Sequence, residues 1–363
     1  TAANWNTAQT ITVTGVNDFL DDGDIAYTIV TAAATSSDSN YSSLDAADVS
    51  ATNTDNDTPG ITVTPTSGLT TTEAGGTATF TIVLDSQPTA DLTIGLSSSN
   101  SAEGTGSTSS VTFTGANWNT AQTITITGVD DAIDDGDIAY SILTAAATSS
   151  DANYNGLNAA NVAVTNTDND TAGITVTPTS GLTTSEAGGT ATFTIVLDSQ
   201  PTANVTIGLS SSNTAEGTVT PSVTFTAANW NVAQTITITG VDDSVDDGDI
   251  AYAIVTGAAT SADSTYNGLN AADVSATNTD DDTAGITVTP TSGLTTTEAG
   301  GTATFTIVLN SRPTADVTIG LSSSNTAEGT VSTSSVTFTA ANWNTAQTIT
   351  VTGVNDFLDD GDI

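Results

Sequence analysis

The sequence predicts an all-β chain, a row of similar β-sandwiches, on two observations. A unit of nearly constant length recurs, and within each unit apolar residues alternate with polar ones. Tryptophan occurs at Trp5, Trp118, Trp230 and Trp343, each in an Asn-Trp-Asn turn, at spacings of 113, 112 and 113 residues. A unit of that length is large enough to bury its own core.

The first complete unit supplies the elements in order. Ile61 to Val63 opens it; Phe80, Ile82 and Leu84 then alternate with Thr79, Thr81 and Val83. Leu92, Ile94 and Leu96 follow around Thr93 and Gly95, then Val111 to Phe113, Ile124 and Ile126 between threonines, Ile138, Tyr140 and Ile142, and Val162 to Val164. These are seven short strands of period two, rich in Thr, Val and Ile and separated by Gly, Asn, Asp and Ser, which is the pattern of a sandwich. No window sustains a helical period. Residues 145–159 form the longest gap, a crossing loop whose Tyr154 packs on the sandwich edge. A Trp repeated at one hairpin is read as a core anchor, with a sugar platform as the competing reading.

Unit boundaries fall at Asp57-Thr58-Pro59-Gly60, Asp170-Thr171-Ala172-Gly173 and Asp282-Thr283-Ala284-Gly285. The expected domains are therefore residues 1–58 (the back of a repeat), 59–171 and 172–283 (complete repeats) and 284–363 (the front of a repeat). Flexible tethers are longer Gly/Ser runs, so such links place neighbours end to end, as a rod. Residues 1–25 are identical to residues 339–363, whereas each internal copy differs from them at five positions. The expectation is a three-unit super-repeat of 338 residues, from Trp5 to Trp343, seen through a window on a longer array. Completion of the terminal half-repeats by a neighbouring copy is the competing expectation.

Composition excludes several functions. The chain holds one Lys or Arg, 41 Asp and Glu, and no His, Cys or Met, for a formal charge of −40. Phosphate binding needs clustered cations, so nucleic acid and anionic membrane surfaces are not partners. Imidazole bases, thiolate nucleophiles and ordinary zinc sites are absent for want of His and Cys. No apolar run reaches the length of a membrane span. A hard cation with oxygen ligands remains.

The acids recur in register. Asp130, Asp131, Asp134, Asp135 and Asp137 lie between two strands, Asp168 and Asp170 follow the last strand, and Glu73 precedes the second. The next unit repeats them as Asp242, Asp243, Asp246, Asp247 and Asp249, then Asp280, Asp281 and Asp282, with Glu186 in front. Five carboxylates in eight residues repel one another unless compensated. A solvated acidic loop is the bland reading, but three separate segments sharing one signature favour metal. In a Greek-key sandwich these segments can meet at one pole, where six to eight oxygens could surround one or two Ca²⁺ ions. An EF-hand loop begun at Asp55 fails, because Thr66 falls where Glu is required.

The segments SVTFTGANWNTAQTITITGVDD, DDGDIAYSIL and the closing Thr-Asn-Thr-Asp-Asn-Asp resemble the Calx-β domain of sodium/calcium exchangers and of tandem arrays in large bacterial surface proteins. The resemblance extends over all units. It implies tandem seven-stranded immunoglobulin-like Greek-key sandwiches with calcium bound at one pole. Carried over by position, it implies Glu73, Asp130, Asp131 and Asp170 as ligands, with Asp168, Asp135 and Glu103 as further candidates. The second complete unit offers Glu186, Asp242, Asp243, Asp282, Asp280, Asp247 and Glu216. In the partial units the corresponding residues are Asp18, Asp22, Asp55, Asp57, Glu298 and Asp356. The sequence departs from the family where a charged residue after the acidic loop is replaced by Ala139 and Ala251. Asn17 and Asn355 replace the first loop acid, so weaker binding is expected there.

Single residues stand out. Phe19 and Phe357 replace Ala132 and Ser244 beside the acidic loop, read as a lateral or junction contact or as local packing. Arg312, where other units carry Gln87 and Gln200, is expected in a surface ion pair.

The function expected is structural: a calcium-stiffened tandem rod, as an extracellular filament or the stalk of a bacterial cell-surface adhesin. Its partners are copies of itself, in filaments or Ca²⁺-bridged bundles. The alternative is a calcium-dependent module binding a carbohydrate or protein. Enzymatic activity is set aside, because paired acids such as Asp134 and Asp135 share one short loop and recur in every unit.

Overall fold

Threonine alternating with Val, Ile, Leu and Phe gives each strand one face for the core and one for water. The Thr77–Leu84 strand buries Phe80, Ile82 and Leu84, and the Gln122–Gly128 strand opposite it buries Ile124 and Ile126. The structure, a computed structural model, describes residue 1 and residues 3–355. Its contacts divide into two compact units that meet between Asp170 and Thr171.

In the first unit, the repeat beginning near residue 59 is two sheets. One has four antiparallel strands in the order Ile61–Thr64, Thr77–Leu84, Gln122–Gly128, Gly104–Gly106. The other has six: Thr148–Ser149, Leu92–Ser98, Ile138–Thr144, Val162–Thr167 and Leu69–Thr72 in order, with Ser110–Phe113 also pairing Leu92–Ser98. Phe80, Phe113, Ile94, Val162 and Tyr154 fill the space between them. All seven expected strands form, and three more join them, so the seven-stranded count is corrected. Leu69–Thr72 and Gly104–Gly106 lack a clear apolar alternation, and Thr148–Ser149 is a two-residue pairing inside the expected crossing loop. Backbone pairing rather than side-chain pattern defines all three. Tyr154 is 1 % exposed, deeper than an edge position, and its hydroxyl donates to the Ser86 carbonyl at 2.6 Å.

The preceding segment contributes a two-stranded ladder, Ile25–Ile29 with Val49–Asn53. Trp5 is 79 % exposed, whereas Trp118 lies half-buried against the core of its repeat.

The second unit repeats the architecture with four- and five-stranded sheets. The first is Ile174–Thr177, Thr190–Leu197, Gln234–Gly240, Gly217–Val219. The second is Leu182–Ser185, Val274–Thr279, Ile250–Thr256, Val205–Ser211, Ser222–Phe225. It continues into a four-stranded sheet, Ile286–Thr289, Thr302–Leu309, Gln347–Gly353, Gly329–Val331, and a ladder of Val317–Gly320 with Ser335–Phe338. Trp230 and Trp343 pack on their cores, and their carbonyls accept from Leu197 and Leu309, each at 3.1 Å. Among the described residues no helix is long and apolar enough to cross a membrane.

Candidate metal centre

Strand register gathers the acids at one end of each complete repeat. Leu69–Thr72 runs parallel to Val162–Thr167, with Thr72 beside Thr167, so Glu73 emerges next to the closing turn of residues 168–170. Ile138 faces Asn166 across the sheet, which starts the Ile138–Thr144 strand at the same end and leaves the acidic loop 129–137 above it. Gly104 faces Gly128 in the other sheet and brings Glu103 to the loop's first residue, where Val129 N–H donates to the Glu103 carbonyl at 3.0 Å.

The loop is held by one of its own aspartates and by one from the closing turn. Asp131 accepts from Ile133 N–H at 2.8 Å, and Asp168 accepts from Gly136 and Asp170 N–H, each at 2.7 Å. Gly136 adopts φ 75°, the left-handed conformation that favours glycine, and Gly23 and Gly248 repeat it. Asp18 and Asp243 take the place of Asp131, accepting from Leu20 and Val245. Asp55 and Asp280 take that of Asp168, accepting from Gly23 and Gly248, each at 2.7 Å.

Beneath the loop lies a buried polar floor. The Thr71 hydroxyl donates to Asn166 Oδ1 at 2.9 Å and meets the Tyr140 hydroxyl at 3.2 Å. Asn166 Nδ2 donates to the Val129 carbonyl at 3.1 Å and to Glu103 Oε2 at 3.4 Å. Thr184, Tyr252, Asn278, Val241 and Glu216 reproduce it in the second repeat. A Cβ on Gly128 would overlap Asn166 Oδ1 and the Thr72 carbonyl, so glycine lets the strand approach the floor.

Three carboxylate groups result, each with ligand atoms within 4.8 Å of one another: Glu73, Asp168 and Asp170; Glu103, Asp131 and Asp135; and Glu186, Asp281 and Asp282. Glu73 and Glu186 are buried, and each accepts a main-chain N–H, from Asn169 at 3.2 Å and from Asp281 at 3.4 Å. Burial pushes both carboxyls up to about 7, with neighbouring aspartates adding repulsion. Asp170 is raised for the same reasons, and its Oδ2 is buried without a hydrogen-bond partner. Burial followed by repulsion from Glu103 raises Asp135. Hydrogen bonds from Gly248 and Asp282 instead hold Asp280 down. A buried carboxylate oxygen with no donor, among acids held above their ordinary range, fits a hard cation with oxygen ligands.

Not every expected ligand falls in a group. Asp130 accepts from Asn169 Nδ2 at 3.3 Å instead. Asp242, Asp243, Asp247, Asp280 and Glu216 form no group of three among the described residues, although Asp243 and Asp280 raise Asp247 after burial does. Asp281 joins Glu186 and Asp282 in place of the expected Asp280. Asn occupies its position in the first repeat, so register pointed away from it. In the partial repeats Asp18, Asp22, Asp55 and Asp57 line one groove, and Glu298 is exposed, unlike Glu73. Asp356 and Phe357 lie outside the described residues.

Phe19 resolves as a junction contact. Its ring lies 5.7 Å from that of Trp118 in the next repeat, tilted by 44°. Arg312 is exposed, and its N–H donates to the Ser244 carbonyl at 2.6 Å.

No family model matches the sequence, and no curated protein matches it. Solved structures show weak likenesses. CBD12 from CALX1.2 is 14 % identical at TM-score 0.27, over 56 % of this chain and 82 % of that one. The calcium binding domain CBD12 of CALX1.1 is 15 % identical at TM-score 0.28, over 55 % and 80 %. The E. coli chaperone DraB is 8 % identical at TM-score 0.23, over 60 % and 98 %.

Proposed function

We propose that the chain is a structural, non-enzymatic array of Calx-β-like immunoglobulin sandwiches, bounded near residues 58, 171 and 283 and stiffened by Ca²⁺ at the acidic poles. It serves as an extracellular filament or the stalk of a bacterial surface adhesin, associating with copies of itself. The observation that carries this reading is the convergence of Glu73, Asp168 and Asp170 from two distant segments, with Asp170 Oδ2 buried and unpartnered. Calcium supplies the missing positive charge, and a ligand bound only by the folded state stabilises it by mass action. The binding-module alternative gains nothing from Trp118, Trp230 or Trp343, which are half-buried against their cores.

Small-angle scattering and thermal melting, with excess CaCl₂ and with chelator, test the proposal. Calcium is expected to raise the melting temperature and narrow the spread of end-to-end distances. Identical curves in the two conditions would sink it.

A further inference from the structure

Within each compact unit the acidic loop of one repeat touches the next repeat, and the two joints differ. In both, a loop carbonyl accepts a main-chain N–H: Phe19 from Gln87 at 2.7 Å, and Ser244 from Arg312 at 2.6 Å. The first joint adds a ring contact: Phe19 lies on Trp118, whereas position 244 is a serine and presents no ring to Trp343. The receiving surface changes with the loop. Gln87 turns its amide to the Gly115 carbonyl at 3.0 Å, and a Cβ on Gly115 would stand 3.2 Å from that amide nitrogen. At the second joint Ser244, Arg312 and Ala340 replace Phe19, Gln87 and Gly115. Three differences between near-identical repeats thus collect at one contact.

We propose that Phe19 and Trp118 form an aromatic clasp that holds their joint closed without any cation. The Ser244 joint, lacking the ring, depends on calcium for its stiffness, a clause that rests on the function proposed above. Phe recurs at 357, 338 residues after Phe19, so one joint in three along such an array carries the clasp. The rod then alternates one permanently stiff joint with two that respond to calcium.

An aromatic pair shifts a closed–open equilibrium by roughly two- to twelvefold. The chain has no cysteine, so spin labels can be placed cleanly in the intact protein. One labelled pair, Ala26→Cys with Thr79→Cys, spans the Phe19 joint; the other, Ala251→Cys with Thr304→Cys, spans the Ser244 joint, all at exposed positions. With chelator present, double electron–electron resonance should give a narrow distance distribution for the first pair and a broad one for the second. Phe19→Ser, which installs the residue found at 244, should broaden the first to match the second. Equal widths in the two pairs, or no response to Phe19→Ser, would overturn the clasp. Adding CaCl₂ separates the two ideas: a second pair that ignores calcium defeats cation stiffening, while the chelator result still decides the clasp.

Discussion

The poles of the two complete repeats have the same buried glutamate, the same five loop acids and the same polar floor, yet their closing turns differ by one residue. Asn169 in the first donates its amide to Asp130 at 3.3 Å, while Asp281 in the second joins Glu186 and Asp282 in a carboxylate group. A donor that partly quiets the loop is replaced by one more acceptor. Among the described residues the first pole carries two groups of acids, one around Glu73 and one around Glu103, and the second pole carries one, around Glu186. Near-identical sequences can thus group their carboxylates differently around the buried glutamate through one side chain that no strand pattern marks.

The largest expected effect tests what the poles share. Asn166→Ala and Asn278→Ala each strip donors and an acceptor from a buried floor and should cost about 2–4 kcal/mol, equally in the two repeats. Denaturant titration with a probe in each repeat reads both losses. Unequal losses would show that the floors differ as well as the rims.

Next comes pH. Glu73 and Glu186 have folded-state values near 7 against an unfolded 4.5, so the folded state holds extra protons between those limits. Stability of the cation-free protein should therefore fall as pH rises through this window, by roughly 3 kcal/mol per site at most. Calcium affinity should rise over the same range, because the ion needs the ionised form. Glu73→Gln and Glu186→Gln should each flatten the dependence in their own repeat, as followed by melting in chelator.

The smallest effect sharpens the difference itself. Exchanging Asn169→Asp and Asp281→Asn should move calcium affinity up at the first pole and down at the second. One added carboxylate charge near a divalent ion in a solvated site is worth about 2 kcal/mol, or roughly thirtyfold. Isothermal titration calorimetry that finds no change would assign the difference to the loop instead.

Much of the fold was legible. The alternation at Phe80, Ile82 and Leu84 marks a strand because a pleated backbone sends successive side chains to opposite faces. Leu69–Thr72 escaped this logic, since its place is set by parallel pairing with residues about 95 positions away. The same pairing separates Glu73 from Glu298. Both stand in a Glu-Ala-Gly-Gly turn, but Glu73 N–H donates to the Thr167 carbonyl and is buried, while Glu298 is exposed.

The sequence by itself determined the repeat length, the strands with apolar alternation, the lack of imidazole and thiol side chains in these residues, and the segments that carry acids. These follow from local patterning and charge count. Only the tertiary structure decided which carboxylates share a group, that Asp170 Oδ2 is left without a donor, that Asp281 belongs with Glu186, and that Phe19 reaches Trp118. Those facts depend on distances between segments far apart in the chain, which strand register and burial fix and composition does not.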